Sequence, residues 1–195
     1  MRQRRSRSKL ALYGLPIALT LGIGLAAYRE PAPVAENALS MTASLGTRTL
    51  VVKRGDEVIK EFPIAVGKEK NPTPKGSFTV KRVVWNPAWV PPKSRWARGK
   101  APAAPGSTNN PMKLVKIFFQ EPDYYIHGTG AVESLGEAAS HGCLRMEPNQ
   151  AAEVALLVME NDGAAKDWDW VKSVLNIGEQ RRMTLSTPTP LHITD

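Results

Sequence analysis

TLVVK (residues 49–53), RGDE (54–57) and VIKEFPIAV (58–66) decide what kind of fold this chain builds. The outer two segments are rich in β-branched and apolar residues, and Gly55 lies in the polar stretch between them, so the three read as a β-hairpin closed at a tight turn. Working outward, the turn cluster NPTPKG (71–76) is followed by renewed β character over residues 77–85. Three strands in succession predict a mainly β core. Residues 113–120 and 123–128 add two strands, and 182–186 and 191–194 read as closing strands. Helical periodicity is clear over residues 148–159, where Ala151, Val154, Ala155 and Val158 recur at i, i+3, i+4 and i+7 with Pro148 in the opening turn. Residues 167–175 suggest a second short helix.

The chain has 195 residues, 42% hydrophobic and 23% charged, which allows one globular domain of ordinary size and not two. Its 16 Pro and 15 Gly follow no repeat, which excludes collagen-like, solenoid and propeller architectures. A single Cys excludes an intramolecular disulfide framework and a cysteine-cluster zinc module. Of the net charge of +8, Arg2, Arg4, Arg5, Arg7 and Lys9 supply five positive charges, so the remainder is ordinary and gives no reason to invoke nucleic acid. The basic start runs into residues 10–28, an uncharged and mostly apolar stretch long enough to cross a bilayer as a helix. It reads as a transmembrane anchor or signal helix, with an uncleaved anchor favoured, and the positive-inside bias sends the rest of the chain outward. Residues 29–44 read as a Pro- and Ala-rich tether, and residues 45–195 as the folded domain.

Residues 86–111 hold six Pro, Trp89 and Trp96 among Lys93, Arg95, Arg98 and Lys100, and no Asp or Glu. Structureless loops of this length are uncommon in compact domains and are often lids or binding loops, and this composition suits an anionic ligand.

The residues that could carry chemistry cluster. Of three His and one Cys, His127, His141 and Cys143 fall within 17 residues. A free thiol exported to an oxidising compartment is a liability unless it works, and a thiolate nucleophile needs a neighbouring base. Gly142 lets a carbonyl approach the backbone and frees amides for an oxyanion hole. In an extended segment His141, Cys143 and Arg145 share a face, where Arg145 holds either a substrate carboxylate or a structural acid. His127 ends a strand and is followed by Gly128, Thr129 and Gly130.

IHGT (126–129) followed, 13 residues from His127 to Ser140, by SHGCLRM (140–146) resembles the signature of the L,D-transpeptidase catalytic domain. The NPTPKGSF stretch (71–78) and Trp85-Asn86-Pro87 are similar to that family as well. The resemblance implies a β-rich, sandwich- or barrel-like catalytic fold with one or two short helices and no cofactor. It further implies that Cys143 attacks the bond between the third and fourth residues of a peptidoglycan stem peptide, with His127 as base. Gly128 would orient that base through its carbonyl, His141 would support the site, and Gly142 with Cys143 would supply oxyanion amides. Arg145, Ser140 and Thr129 would then face substrate. The product this resemblance implies would be a 3,3 cross-link made in the cell envelope, on the periplasmic or extracytoplasmic side, and carbapenems are expected covalent inhibitors. Residues 162–180 exceed what a minimal domain of this kind needs, and no separate glycan-binding module is present in the sequence.

Other readings keep some of these residues. With water as acceptor the same thioester makes an L,D-carboxypeptidase or a hydrolase of wall-attached protein. His127, His141 and Cys143 could instead ligate zinc, although there is no HExxH pair and the glycine step would go unexplained. A wall-binding domain without turnover would not need the full set.

Overall fold

The computed structural model describes residues 37–195. The basic segment, the apolar stretch 10–28 and residues 29–36 of the expected tether lie outside the described residues. Within them, the domain begins earlier than the sequence suggests. Leu39–Ser44 is a strand, β1, whose Leu39, Met41 and Ala43 point into the core. It pairs antiparallel with β2 (Thr49–Arg54) and parallel with the C-terminal strand, so residues 39–44 belong to the folded unit and not to the tether.

The expected hairpin forms between β2 and β3 (Glu57–Pro63), with Gly55 at φ +59 in the turn. A short β4 (Val66–Gly67) follows, then β5 (Gly76–Trp85), β6 (Val115–Gln120) and β7 (Tyr124–Gly128). β8 (Ala138–Ser140) and β9 (Leu144–Met146) bracket the His141-Gly142-Cys143 bend. The two closing strands are one 14-residue strand, β10 (Arg181–Thr194), whose register against β5 shifts between Thr184 and Thr189 around Pro188. The eight-stranded mixed sheet runs β3-β2-β1-β10-β5-β6-β7-β9 and curls into a nearly closed barrel, while β4 and β8 form a separate parallel pair.

Alternation places Leu50 and Val52 of β2 and Val115 and Ile117 of β6 in one core, which Val80 and Val83 of β5 also join although their odd spacing breaks the alternation on that strand. Helix α1 (Pro148–Asn161) fills it with Ala151, Ala152, Val154, Ala155, Val158 and Met159. Glu147 caps the helix by accepting from the Gln150 amide, and Pro148 occupies the first turn, where its missing N–H costs nothing. Helix α2 (Trp168–Ile177) accounts for the extra residues after α1. Asp167 caps it, Gly178 ends it in the left-handed region, and Val171 and Val174 are buried. Its Trp170 meets Trp85 edge to face at 5.6 Å, and the Trp85 indole N–H points at the Met159 sulfur at 3.1 Å. α2 thereby seals the core beside the end of β5.

Candidate active site

Strand register builds the floor of the site. Residues opposite one another share a face, so β10, β5, β6, β7 and β9 present two parallel rows of side chains. One row reads Arg182, Val84, Lys116, His127, Arg145; the next reads Thr184, Arg82, Phe118, Tyr125, with Cys143 completing it beyond Tyr125. All but Thr184 line one cleft of about 830 Å³. Cys143 and His127 are therefore diagonal neighbours on adjacent strands, and Arg145 shares their face; the extended run expected from His141 through Arg145 is instead a bend at 141–143 that becomes strand only at Leu144.

The His127 ring is buried, and its Nδ1 lies 2.7 Å from the Gly128 carbonyl oxygen. A carbonyl can only accept, so Nδ1 donates and Nε2 carries the lone pair. Burial, reinforced by the Arg145 and Lys116 charges, pushes the imidazole down to about 3 despite the Gly128 bond. It is a neutral base at any physiological pH. Gly128 also has to be glycine, because a Cβ there would sit 2.9 Å from Pro148 Cα.

The Cys143 thiol donates to the Asp123 carbonyl at 3.3 Å. Burial pushes the thiol up to about 11, while the Tyr125 backbone N–H and the charges of Arg145 and Lys116 pull the other way. The resting pair is thus a neutral thiol and a neutral imidazole, and the proton must move during attack.

Ser140 departs from its expected place against substrate. Its side chain is fully buried, its hydroxyl donates to the Cys143 carbonyl at 2.6 Å and accepts the Gly142 amide at 3.0 Å, and it fixes the bend from behind. The Gly142 amide is consequently engaged within the bend and not held open for an oxyanion. The need for Gly142 is steric: its φ is +113, and a Cβ would lie 2.7 Å from the Tyr124 ring. The 71–76 turn braces the same bend. Thr73 Oγ1 accepts the Gly67 amide at 2.8 Å, and Lys68 donates its amide to the Ser140 carbonyl at 3.2 Å.

Thr129 is buried at the cleft edge, its hydroxyl accepting the Ala131 amide at 3.1 Å. Arg145 is half-buried in the cleft, and among the described residues it forms no ion pair, which leaves its guanidinium for a ligand. His141 has a buried Nδ1 without a partner among the described residues. Burial, with Lys68, Arg145 and Lys100 nearby, lowers its pKa. Among the described residues no cluster of His, Cys, Asp and Glu is arranged to hold a metal.

The 86–111 loop folds over this floor. Trp96 stacks on the His141 ring at 4.0 Å and 14°, with the Lys100 ammonium 5.1 Å from the indole centroid. The loop is pinned by paired backbone hydrogen bonds between Trp89 and Ala103, and by Asn110, whose buried amide donates to the Pro87 carbonyl at 2.6 Å. Sequence reading named none of Lys116, Tyr125 and Arg82 as part of the site. Their contribution comes from register across β5, β6 and β7, which alternation within one strand does not reveal.

A family model described as the L,D-transpeptidase catalytic domain matches residues 40–181. YkuD of Bacillus licheniformis, which carries an L,D-transpeptidase assignment, is 30% identical over 118 residues, 60% of this chain and 59% of that protein. The chain thus spans somewhat over half the length of this relative. Among solved structures, the catalytic domain of the E. faecium L,D-transpeptidase is similar over 82% of this chain and 99% of its own, with 16% identity and a TM-score of 0.50. L,D-transpeptidase 3 from Mycobacterium tuberculosis, solved in complex with a faropenem-derived adduct, is similar over 81% of this chain and 60% of its own, with 17% identity and a TM-score of 0.50. With its mainly β fold, its two helices and a family match running from β1 to the start of β10, the chain belongs to the L,D-transpeptidase catalytic domain family.

Proposed function

We propose that this domain is an exported L,D-transpeptidase that forms 3,3 cross-links between peptidoglycan stems through a thioester on Cys143. The observation that carries this reading is the placement of Cys143 and His127 on adjacent rows of one cleft floor, with the imidazole fixed in the tautomer a base requires. As the thiol sulfur attacks the carbonyl carbon of the third stem residue, its proton passes to His127 Nε2. The tetrahedral intermediate collapses, the C–N bond to the fourth residue breaks, and the imidazolium protonates the departing amine. The acceptor amine then attacks the thioester, gives its proton to His127 and expels the sulfur, which regains a proton. With the Gly142 amide held by Ser140, the Cys143 amide is the motif donor left for the oxyanion. Thr129 flanks the donor and His141 carries the lid tryptophan.

The basic start and apolar stretch at residues 2–28 support a site of action in the cell envelope, outside the cytoplasm and held at the membrane. Carbapenems are the inhibitors the family resemblance leads us to expect, and the faropenem-derived adduct on the M. tuberculosis relative supports a related penem as an acylating inhibitor here. The test is mass analysis of the full chain with disaccharide-tetrapeptide. A Cys143 thioester with 3,3-linked dimers is expected. Tripeptide without dimers would transfer the assignment to an L,D-carboxypeptidase, and an unchanged protein and peptide would leave a wall-binding domain.

A further inference from the structure

Lys116 stands in the cleft without an acid. It lies on β6 directly opposite His127, which has Arg145 opposite it on the other side, so the base sits between two cations in one row. The Lys116 ammonium donates to the Ala88 carbonyl of the lid at 3.1 Å and lies 5.0 Å from the Tyr125 ring centroid. Among the described residues no carboxylate lies within ion-pair distance of it. An ammonium has three donors, so two remain free, and a half-buried cation without a counter-charge is costly unless a ligand completes it. Two strand spacings, about 10 Å, separate β6 from β9. A group held at Lys116 is therefore on the far side of His127 from one held at Arg145.

We propose that Lys116 is the anchor of the acceptor subsite, binding a carboxylate carried on the same carbon as the attacking amine, while Arg145 serves the donor. This rests on the transpeptidase reading and adds what the second substrate must carry. An α-amino carboxylate held at Lys116 brings its amine toward His127, which takes the proton as the new amide bond forms and the thioester C–S bond breaks. Burial, aided by Arg82 and opposed by Cys143 only once that residue is a thiolate, lowers the Lys116 ammonium to about 8, so the anchor loses its charge just above neutral pH. The other titratable or charged groups facing it are Tyr125 and His127 on β7, Arg145 on β9 and Arg182 on β10. Of these His127 is neutral far below this range, and burial holds Tyr125 protonated well above it.

The experiment measures acceptor KM in the full-length enzyme with one donor and two acceptor stems, the carboxylate on the carbon that bears the attacking amine being free or amidated. For the wild type at pH 7, a KM about tenfold lower for the free carboxylate is expected, the usual effect of one charged hydrogen bond. Lys116→Met should bring that ratio close to one, and Lys116→Arg should restore most of it. The wild-type ratio should also fall between pH 7 and 9, while the Lys116→Arg ratio should not. Equal loss for both acceptors in Lys116→Met, or an unchanged ratio, overturns the assignment. Acylation followed only by hydrolysis overturns it too, whereas absence of any acyl-enzyme overturns the transpeptidase reading beneath it.

Discussion

Before any substrate arrives, the Cys143 thiol is held by the Asp123 carbonyl and approached by the Tyr125 amide, and its proton is not yet shared with His127. A thiol raised to about 11 beside an imidazole lowered to about 3 makes a clear kinetic forecast. Alkylation by iodoacetamide should accelerate about tenfold per pH unit from 7 to 10, because only the thiolate reacts. A plateau below pH 8 would mean a preformed thiolate–imidazolium pair. The bend that carries the thiol offers a second forecast. Ser140→Ala removes the acceptor for the Gly142 amide and the donor to the Cys143 carbonyl, leaving buried groups unsatisfied at about 1–3 kcal/mol each. We expect Tm to fall by several degrees and the acylation rate to drop, since the thiol is no longer held in place. An unchanged Tm would show that the buried hydroxyl bears no such load. The gathering of Cys143 and His127 was legible because Cys and His are rare in this chain and closely spaced, and that of Arg145 because it lies two residues beyond Cys143. Ser140 and Gly142 were named, but their roles were not legible, since only the folded bend reveals that each satisfies the other.

Strand β1 carries the test that belongs to single elements. It lies between β2 and β10 and buries Leu39 and Met41 almost completely. Each such side chain contributes about 1.5–3 kcal/mol, against a total stability of about 5–15 kcal/mol for a domain. A chain beginning at residue 45 should be insoluble or melt at least 10 °C below one beginning at residue 37, measured by circular dichroism. Equal melting would make β1 dispensable. This strand was hidden because Leu39-Ser-Met-Thr-Ala-Ser44 follows a Pro- and Ala-rich run and finds its parallel partner about 150 residues later in sequence, a pairing no local pattern reports. The hairpin 49–66 was legible for the opposite reason: turn and both strands are contiguous. The same contrast separates α1, announced by its apolar stripe, from α2, whose purpose appears only once Trp170 is seen against Trp85.

Charge is the property that only the whole molecule displays. Five of the eight net positive charges lie within residues 2–9, yet the cleft also gathers Arg82, Lys100, Lys113, Lys116, Arg145 and Arg182 against the single acid Asp123. Arg82 is neutralised by Glu121 at 2.6 Å, and the rest leave a positive field inside a partly enclosed cavity, where it is screened less than on an open surface. An anionic stem peptide should be drawn in by that field and a neutral reagent should not. Raising sodium chloride from 0.1 to 1 M shortens the screening length from about 10 to about 3 Å. Across that range kcat/KM for acylation by tetrapeptide should fall several-fold, while the iodoacetamide rate at Cys143 stays level. If the attraction belongs to the cleft cations, a chain beginning at residue 37 should retain the same salt dependence. If removing residues 1–36 abolished it, the attraction would belong to the basic segment, and the cleft cations would serve short-range contacts alone.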